Sequence, residues 1–391
     1  MPKLSFLIVI TLLLSGCLQF QPLDGSESFL PALDPESDIA GTELRFQPGE
    51  CPIELPAGEA QLLNIECGFL EVPEMRTATD GRTIKLAVVI VRHPGGAPEA
   101  DPIIYLVGGP GGSMLKIVEK SGVAPTFGPV FAANRDIVLF DQRGVGYSEP
   151  ALECPAFAQL YLDLFDFEVD GQQLDAQARL DAKIEALWSC AGSLAGIADL
   201  SAYNSTESAD DVEDLRRALG YEQVNLWGAS YGARLALEVL RRHPDGVRSV
   251  ILEATYPPEA DLFLETPADY ARSLELLAAE CTVDDGCNDA YPDLQARLFA
   301  TVERLNLDPV AVEVVHPFRA EEYPLAIDGD TLLELIFRAF YDSNMRPVLP
   351  MAIVAAEEDN FDLLLPLAAT ALPKITLTAS GWPGNKLRYL T

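Results

Sequence analysis

Histidine is scarce in this chain, which has three among its 391 residues. Basic residues are also few, because 27 lysines and arginines stand against 60 acidic residues and the formal net charge is -33. A surface of this sign repels phosphate backbones, so the charge excludes nucleic acid as a partner. The few histidines and the lack of any Cys-x-x-Cys spacing argue against a structural zinc site. We therefore expect no metal, and no motif implies a cofactor.

No apolar run is long enough to span a bilayer, since the only long one, Leu4 to Leu14, falls short of the about 20 residues that a membrane helix needs. This run is typical of a signal peptide. It closes with Leu14-Ser15-Gly16-Cys17, which resembles the bacterial lipoprotein cleavage box, although an ordinary secretory signal is the alternative. We predict a signal peptide at residues 1–16, a lipid on Cys17, and export to the outer side of a bacterial membrane.

Residues 17–46 mix proline, glycine, serine and acidic residues without periodicity, which predicts a flexible tether. Beyond Cys17 the cysteines are even in number, and in an exported chain this indicates disulfides. Many pairings are possible, but we favour nearest neighbours, because each pair then lies within one local segment. The favoured pairs are Cys51 with Cys67, Cys154 with Cys190, and Cys281 with Cys287.

Apolar runs bounded by turn residues predict a series of buried strands. The predicted strands are Thr83 to Arg92, Pro102 to Val107, Asp136 to Asp141, Gln223 to Trp227 and Val247 to Leu252. Helical patterning runs from Ser208 to Leu219, where Ser208 and Asp211 have capping-box spacing, and again up to about Arg242. Strands that alternate with helices predict a doubly wound, mostly parallel α/β sheet. We place this core at residues 47–258.

Beyond Tyr256 helical periodicity dominates and strand signals become sparse. The predicted helices are Pro267 to Glu280, Leu294 to Leu305, Thr331 to Tyr341 and Pro347 to Glu357. We therefore predict a helical cap at residues 259–380, inserted after the strand that ends near Leu252. Residues 381–391 form an atypical tail.

The strongest chemical signal is Gly228-Ala229-Ser230-Tyr231-Gly232, which lies between a predicted strand and a predicted helix. A nucleophile on a sharp strand-to-helix turn needs small neighbours on both sides, and Ser230 would then project over the carboxyl edge of the sheet. We interpret Ser230 as the nucleophile. An ordinary glycine-rich turn is the alternative.

A second glycine-rich loop, Val107-Gly108-Gly109-Pro110-Gly111-Gly112, follows an earlier predicted strand. Glycines let backbone N–H groups approach an oxyanion without obstruction by side chains. We assign the two oxyanion donors to the N–H groups of Gly109 and Tyr231. A phosphate-binding loop is the alternative, but Pro110 removes a donor and no Gly-Lys-Ser/Thr follows. Both motifs should lie close together, because they end adjacent parallel strands.

A third motif, the polar loop Asp141-Gln142-Arg143-Gly144-Val145-Gly146-Tyr147-Ser148, follows the strand ending at Phe140. With the two glycine-rich motifs, in this order and spacing, it resembles the proline iminopeptidase family of serine peptidases, and especially its exported tripeptidyl aminopeptidase branch. The pattern of Cys281 to Cys287, followed by Asp289-Ala290-Tyr291-Pro292, is similar to that branch. The resemblance runs from about Cys51 to about Leu367, and Val107 stands where many members have histidine.

The resemblance implies an α/β-hydrolase fold and a serine exopeptidase that releases proline or short peptides from the N-termini of peptide substrates. It also implies that Asp141, Gln142 and Arg143 shape a wall of the substrate site, with Arg143 tied to a buried carboxylate. A purely structural role for all three is the alternative. The alternative functions are an esterase or lipase, which uses the same core, and a non-catalytic peptide-binding surface lipoprotein.

A serine nucleophile needs a histidine as its general base and an acid that orients the histidine. The chain order in this fold is serine, acid, histidine, and only His243 and His316 follow Ser230. His243 closes the nucleophile helix at its far end, and His316 lies in the predicted cap, so His316 is only a fallback base. His93 precedes the serine. We therefore expect that the C-terminal strands are missing, through truncation, frameshift or a split gene, and that activity is little or none.

Overall fold

The computed structural model describes residues 46–371 apart from a set of short gaps. The gaps are 57, 60–62, 79–80, 94, 96–97, 129–133, 158–159, 161–163, 165–166, 170–171 and 316–321. Cys17, the predicted signal peptide, most of the predicted tether, His316 and the predicted tail lie outside the described residues. The described residues all belong to the unit that begins at Leu44.

The strands form one large sheet and two small ladders. In chain order the strands are β1 (Phe46–Pro48), β2 (Asn64–Pro73), β3 (Thr83–Arg92), β4 (Ile103–Leu106), β5 (Ile137–Phe140), β6 (Glu168–Val169), β7 (Gln172–Gln173), β8 (Val224–Ala229), β9 (Val247–Glu253), β10 (Val310–Val315) and β11 (Glu322–Ile327). The large sheet has seven strands in the order β1-β2-β3-β5-β4-β8-β9. The pairs β1–β2, β2–β3 and β3–β5 are antiparallel. The remaining strands, β5, β4, β8 and β9, run parallel to one another.

The predicted strands are all present in this sheet, with bounds that differ by up to two residues at an end. The prediction missed β2, in which two glutamates, a glycine and a closing proline interrupt the apolar pattern. It was also wrong about the burial of β9, where Ile251 is 55% and Leu252 is 39% exposed. The reason is position, because β9 pairs with β8 and stands at the edge of the sheet as described.

Helices cover both faces of the sheet. In chain order the helices are α1 (Met114–Ser121), α2 (Val123–Phe127), α3 (Ala176–Leu194), α4 (Ser205–Ala218), α5 (Tyr231–Arg242), α6 (Leu262–Val283), α7 (Asp285–Ala290), α8 (Leu294–Leu307), α9 (Gly329–Ala339), α10 (Leu349–Ala355) and α11 (Leu365–Ala371). One buried cluster joins the sheet to α4 and α5, and another joins it to α1 and α2. Helices on both faces of a sheet whose second half is parallel confirm the doubly wound α/β architecture.

Helix α4 begins earlier than its predicted start at Ser208. Asn204 is the N-cap, and its side-chain oxygen accepts a hydrogen bond from the Glu207 N–H at 2.9 Å. Asp211, which was predicted to help close a capping box, instead lies buried in the middle of the helix. Its carboxylate is engaged by arginines from other segments, so a distant contact uses the side chain that the local pattern assigned to the cap.

The region from α6 to α11 has a buried cluster of its own, with members from Leu274 to Ala369. It is helical as predicted, but it also contains the antiparallel pair of β10 and β11, which the sequence analysis missed. Only alternate residues of β10 face this cluster, and six residues are too few for a strand pattern to stand out between long helices. We keep the division into a core at 47–258 and a cap at 259–380 as a proposal.

Three disulfides join nearest neighbours along the chain: Cys51–Cys67, Cys154–Cys190 and Cys281–Cys287. Their Cα atoms are 4.9, 5.7 and 5.0 Å apart, within the usual range for a disulfide. Each bond closes a local loop, and Cys281–Cys287 ties the end of α6 to α7. Across the part of the chain that the structure describes, no helix combines the length and apolar character needed to cross a membrane.

Candidate active site

Ser230 occupies the turn between β8 and α5. Its backbone has φ 56° and ψ -120°, a conformation that L-residues rarely adopt. Strain of this kind persists where the surroundings hold it in place, and it concentrates at functional sites. The flanking glycines make the turn possible, since a Cβ on Gly228 would meet the Gly232 carbonyl and a Cβ on Gly232 would meet the Leu106 carbonyl. The Ser230 side chain is on the exposed surface.

The glycine-rich loop after β4 lies against this turn. Strands β4 and β8 are parallel neighbours, with Leu106 opposite Gly228. A Cβ on Gly108 would stand 2.9 Å from the Ser230 Cβ and 3.4 Å from its hydroxyl oxygen. The expected juxtaposition of the two glycine-rich motifs is therefore confirmed, and its cause is the adjacency of the two strands.

The predicted oxyanion donors lie on these two segments. Gly109 has φ 131° and precedes a cis peptide bond to Pro110, and the loop closes where the Gly112 N–H donates to the Gly108 carbonyl at 3.1 Å. The Tyr231 N–H stands in the first turn of α5, where a helix offers no carbonyl to accept it. The assignment of Gly109 and Tyr231 as donors stays a prediction.

The Tyr231 side chain has a structural place of its own. It is buried, and its hydroxyl lies 2.9 Å from the Ser205 hydroxyl at the start of α4. Burial raises the pKa of Tyr231, so the phenol stays protonated at neutral pH. The residue thereby joins the starts of α4 and α5 beneath the turn.

Asp141 is fully buried at the end of β5. Its carboxylate accepts hydrogen bonds from the Ser113 hydroxyl at 2.7 Å, the Leu115 N–H at 3.1 Å and the Tyr147 N–H at 2.9 Å. Ser113 is also the N-cap of α1, so one carboxylate holds the start of that helix and the far side of the polar loop. These contacts explain why an acid can stand buried at this position.

Gln142 and Arg143 are buried as well. The Gln142 amide donates to the Val107 carbonyl at 3.0 Å, which supports the strand end just before Gly108. Arg143 donates to both carboxylate oxygens of Asp211, at 2.7 and 2.6 Å, and to the carbonyls of Glu74 and Ala202. The buried carboxylate expected for Arg143 is thus Asp211. Their contribution to a substrate-site wall stays a prediction.

A buried charge network surrounds this pair. Arg76 bonds Glu207, Asp211 and Asp214, all on α4. Burial alone would lower the pKa of Arg143, but Asp211 outweighs it and raises the pKa, so the arginine remains charged. This network was not predicted from the sequence. The signal was available, because five acidic residues between 207 and 214 on a helix that covers the sheet require cations from elsewhere.

The described histidines stand away from Ser230. The His93 N–H donates to Asp136, which precedes β5, so His93 lies at the amino edge of the parallel strands, opposite the Ser230 edge. His243 ends α5, about 20 Å along the helix from Ser230. Its ring nitrogen lies 2.7 Å from Asp210. His316 lies outside the described residues, and among those described, no group of three potential ligands could hold a metal ion.

The chain is similar to known hydrolases and peptidases. A family profile described as alpha/beta hydrolase fold matches residues 101–308. The serine protease Hip1 of Mycobacterium tuberculosis is 25% identical over 77% of this chain and 58% of its own length. The tripeptidyl aminopeptidase of Streptomyces lividans is 30% identical over 50% of this chain and 36% of its own length.

Further similarities have narrower coverage. The proline iminopeptidase of Arabidopsis thaliana is 27% identical over 44% of this chain and 31% of its own length. A solved structure, the proline iminopeptidase-related protein of Thermus thermophilus, has 24% identity, covers 48% of this chain and 44% of that one, and gives a TM-score of 0.26. The chain spans less than two thirds of the length of each of these relatives. The family match covers more than half of the chain, which belongs to the alpha/beta hydrolase fold family.

Proposed function

We propose that this α/β hydrolase is of the serine peptidase type, with Ser230 as the nucleophile. One observation carries the proposal: a serine with a strained backbone stands on a strand-to-helix turn in contact with the Gly108 loop. The peptidase names of the relatives support a peptide substrate. The finer proposal is an exopeptidase that releases proline or short peptides from N-termini.

In this proposal the Ser230 hydroxyl attacks a substrate carbonyl, and the negative charge that develops on the carbonyl oxygen is stabilised by the Gly109 and Tyr231 N–H groups. The bond to the leaving amine then breaks as the amine receives the proton that the hydroxyl lost, and water hydrolyses the acyl-enzyme and restores the Ser230 hydroxyl. The attack requires a base that takes the hydroxyl proton. Neither His93 nor His243 can do so from its position, and His316 lies outside the described residues. On the positions of the two described histidines we propose that this chain by itself has little activity.

A second candidate is a peptide-binding surface protein without catalysis, and the positions of His93 and His243 favour it. We also propose export, because three disulfides are typical of proteins outside the cytoplasm. Anchoring through a lipid on Cys17 belongs to the same proposal. In either function the partner is a peptide, and the membrane is contacted through the lipid.

A fluorophosphonate probe tests the nucleophile, because it labels only an activated serine. We expect weak labelling of the chain and none of its Ser230→Ala variant. Aminoacyl and tripeptidyl nitroanilides, assayed beside nitrophenyl esters, separate a peptidase from an esterase. Strong labelling that vanishes in Ser230→Ala would show that a base is present, and His316 would be the next residue to change. Strong labelling that persists in Ser230→Ala would contradict the assignment of the nucleophile.

A further inference from the structure

Helix α3 buries little of its surface for its length. It has 19 residues, yet its buried side chains are Cys190 and Leu194, both near its C-terminal end. The disulfide from Cys190 to Cys154 holds that end, and an ion pair of Arg179 with Asp328 holds the other. Most helices in proteins are stabilised by the packing of an apolar face. The part of the chain that the structure describes gives α3 no such packing before Cys190.

An apolar stripe runs along the exposed side of α3. Its members, Leu180, Ile184 and Trp188, are 50%, 44% and 74% exposed. They are spaced by four residues, so they lie on one side of the helix and extend over about 12 Å. Scattered apolar side chains on a surface are ordinary, but a contiguous apolar patch marks a surface that binds something. We call these three residues the α3 stripe.

The α3 stripe continues into a cavity of about 440 Å³. Leu180 lines this cavity together with residues of α9 and α11. The α11 residue in the lining is Ala368, and the helix ends three residues later at Ala371. The chain that follows α11 therefore begins beside the cavity, at one end of the α3 stripe.

The segment that follows α11 has an apolar side of its own. Residues 374–379, which lie outside the described residues, read Lys-Ile-Thr-Leu-Thr-Ala. Ile375 and Leu377 alternate with threonines, and this alternation predicts an extended strand with one apolar side. The segment is also basic, because residues 372–391 include three lysines and arginines and no acidic residue.

Charge favours this segment over other occupants of the surface. Each of the three cations that line the cavity has a partner. The acid Asp330, in the first turn of α9, is exposed and makes no ion pair within the described residues. A second copy of the chain, with its net charge of -33, would be repelled, as would an anionic bilayer surface. A basic segment of the same chain is attracted instead.

We infer that residues 374–379 bind in an extended conformation along α3, with Ile375 and Leu377 packed against the α3 stripe. The reach is sufficient, because the eight residues from 372 to 379 span about 26 Å when extended, about twice the length of the stripe. The contact removes apolar surface of both partners from water. It gives α3 the packing that it lacks between its two ends. The inference does not depend on Ser230 being a nucleophile.

Photo-cross-linking of the full chain, in buffer without lipid, tests the inference. Ile184 is replaced by the photoreactive residue p-benzoylphenylalanine, and Ile197, which is 55% exposed beyond the end of α3, is replaced in the control. We expect irradiation to join position 184 to a peptide from residues 372–391 within one monomer, and no such product in the control. A cross-linked dimer would overturn the inference in favour of a second copy. A cross-link from position 184 to any other segment, or none, would overturn it as well.

Oxidation of Trp188 by hydroxyl radicals, followed by mass spectrometry, gives a second readout in the full chain. Leu377→Asp should raise this oxidation several-fold, since a charged residue cannot pack on the α3 stripe. Thr376→Asp adds the same charge on the other side of the predicted strand and should leave the oxidation unaltered. Trp227, which lies in the sheet, should be oxidised equally in all three chains.

Equal oxidation of Trp188 in the unaltered chain and in Leu377→Asp would overturn the inference. A similar rise in both variants would overturn the packing of Ile375 and Leu377 on the stripe. Ser230→Ala should give the same cross-link and the same oxidation as the unaltered chain, whatever the outcome of the labelling assay. The failure of this inference and the failure of the proposed function are therefore distinguishable.

Discussion

The turn at Ser230 and the loop from Asp141 to Ser148 both follow parallel strands of one sheet, yet they are held in opposite ways. Around Ser230 the close contacts are between backbone atoms, because Gly228 and Gly232 leave no room for a Cβ. In the polar loop, buried side chains make the contacts, from Asp141 to Ser113 and from Arg143 to Asp211. The turn at Ser230 is therefore fixed by close backbone contacts, while the neighbouring loop is fixed by buried charged side chains.

The largest loss of stability should come from a change in the buried ion pairs that hold the polar loop. Asp211→Ala removes the carboxylate that faces both Arg143 and Arg76, so that Arg143 loses the acceptor of two hydrogen bonds and the buried positive charge is compensated less well. We expect a loss of about 3–5 kcal/mol in the free energy of unfolding, measured in urea. Glu213→Ala, which breaks the Arg216 pair within the same helix, should cost about 0–1 kcal/mol. Similar losses in both variants would contradict the importance that we give to the buried network.

The close backbone contacts at the Ser230 turn should be sensitive to one added methyl group. Gly232→Ala sets a Cβ against the Leu106 carbonyl and forces β4 and α5 apart. We expect a loss of about 1–3 kcal/mol in urea unfolding. Gly192→Ala is the matched control, since that exposed glycine in α3 has open space around its Cβ position and should be stabilised by about 1 kcal/mol. Two changes of the same sign would refute the close-contact argument.

The far end of α5 should respond to acid. Burial would raise the pKa of Asp210, but hydrogen bonds from His243 and Arg242 outweigh it and lower the pKa to about 2. Because the unfolded value is about 3.9, the contribution to stability is complete above pH about 4 and is lost as the pH falls toward 2. We expect it to be on the order of 1–2 kcal/mol. Asp210→Asn should remove this part of the pH dependence of the free energy of unfolding between pH about 4 and about 2. An unaltered pH dependence in the variant would contradict the lowered pKa of Asp210.

The smallest effect should come from the strain at Ser230. Glycine accepts a positive φ without cost, whereas alanine keeps the Cβ and therefore keeps the strain. We expect Ser230→Gly to be more stable than Ser230→Ala by about 1 kcal/mol in thermal unfolding. Both variants should lose any probe labelling. Equal stability would show that the turn stores little strain.

Local sequence patterns determined much of this protein. The alternation of buried strands and helices predicted the α/β architecture, and the glycines around Ser230 predicted a tight turn beside a second glycine-rich loop. These features need only neighbouring residues, because a strand, a turn and a helix each follow from side chains that are close along the chain. The cysteines at 281 and 287 are similar, since they lie six residues apart.

Only the tertiary structure decided how residues far apart in the chain meet. It paired Arg143 with Asp211, 68 residues away, and it made β9 an exposed edge although the strand contains the apolar run from Val250 to Leu252. It also set Arg179 against Asp328, 149 residues away. The physical reason is that burial and ion pairing depend on which elements pack together, and no local pattern specifies which distant segment will lie opposite a given side chain.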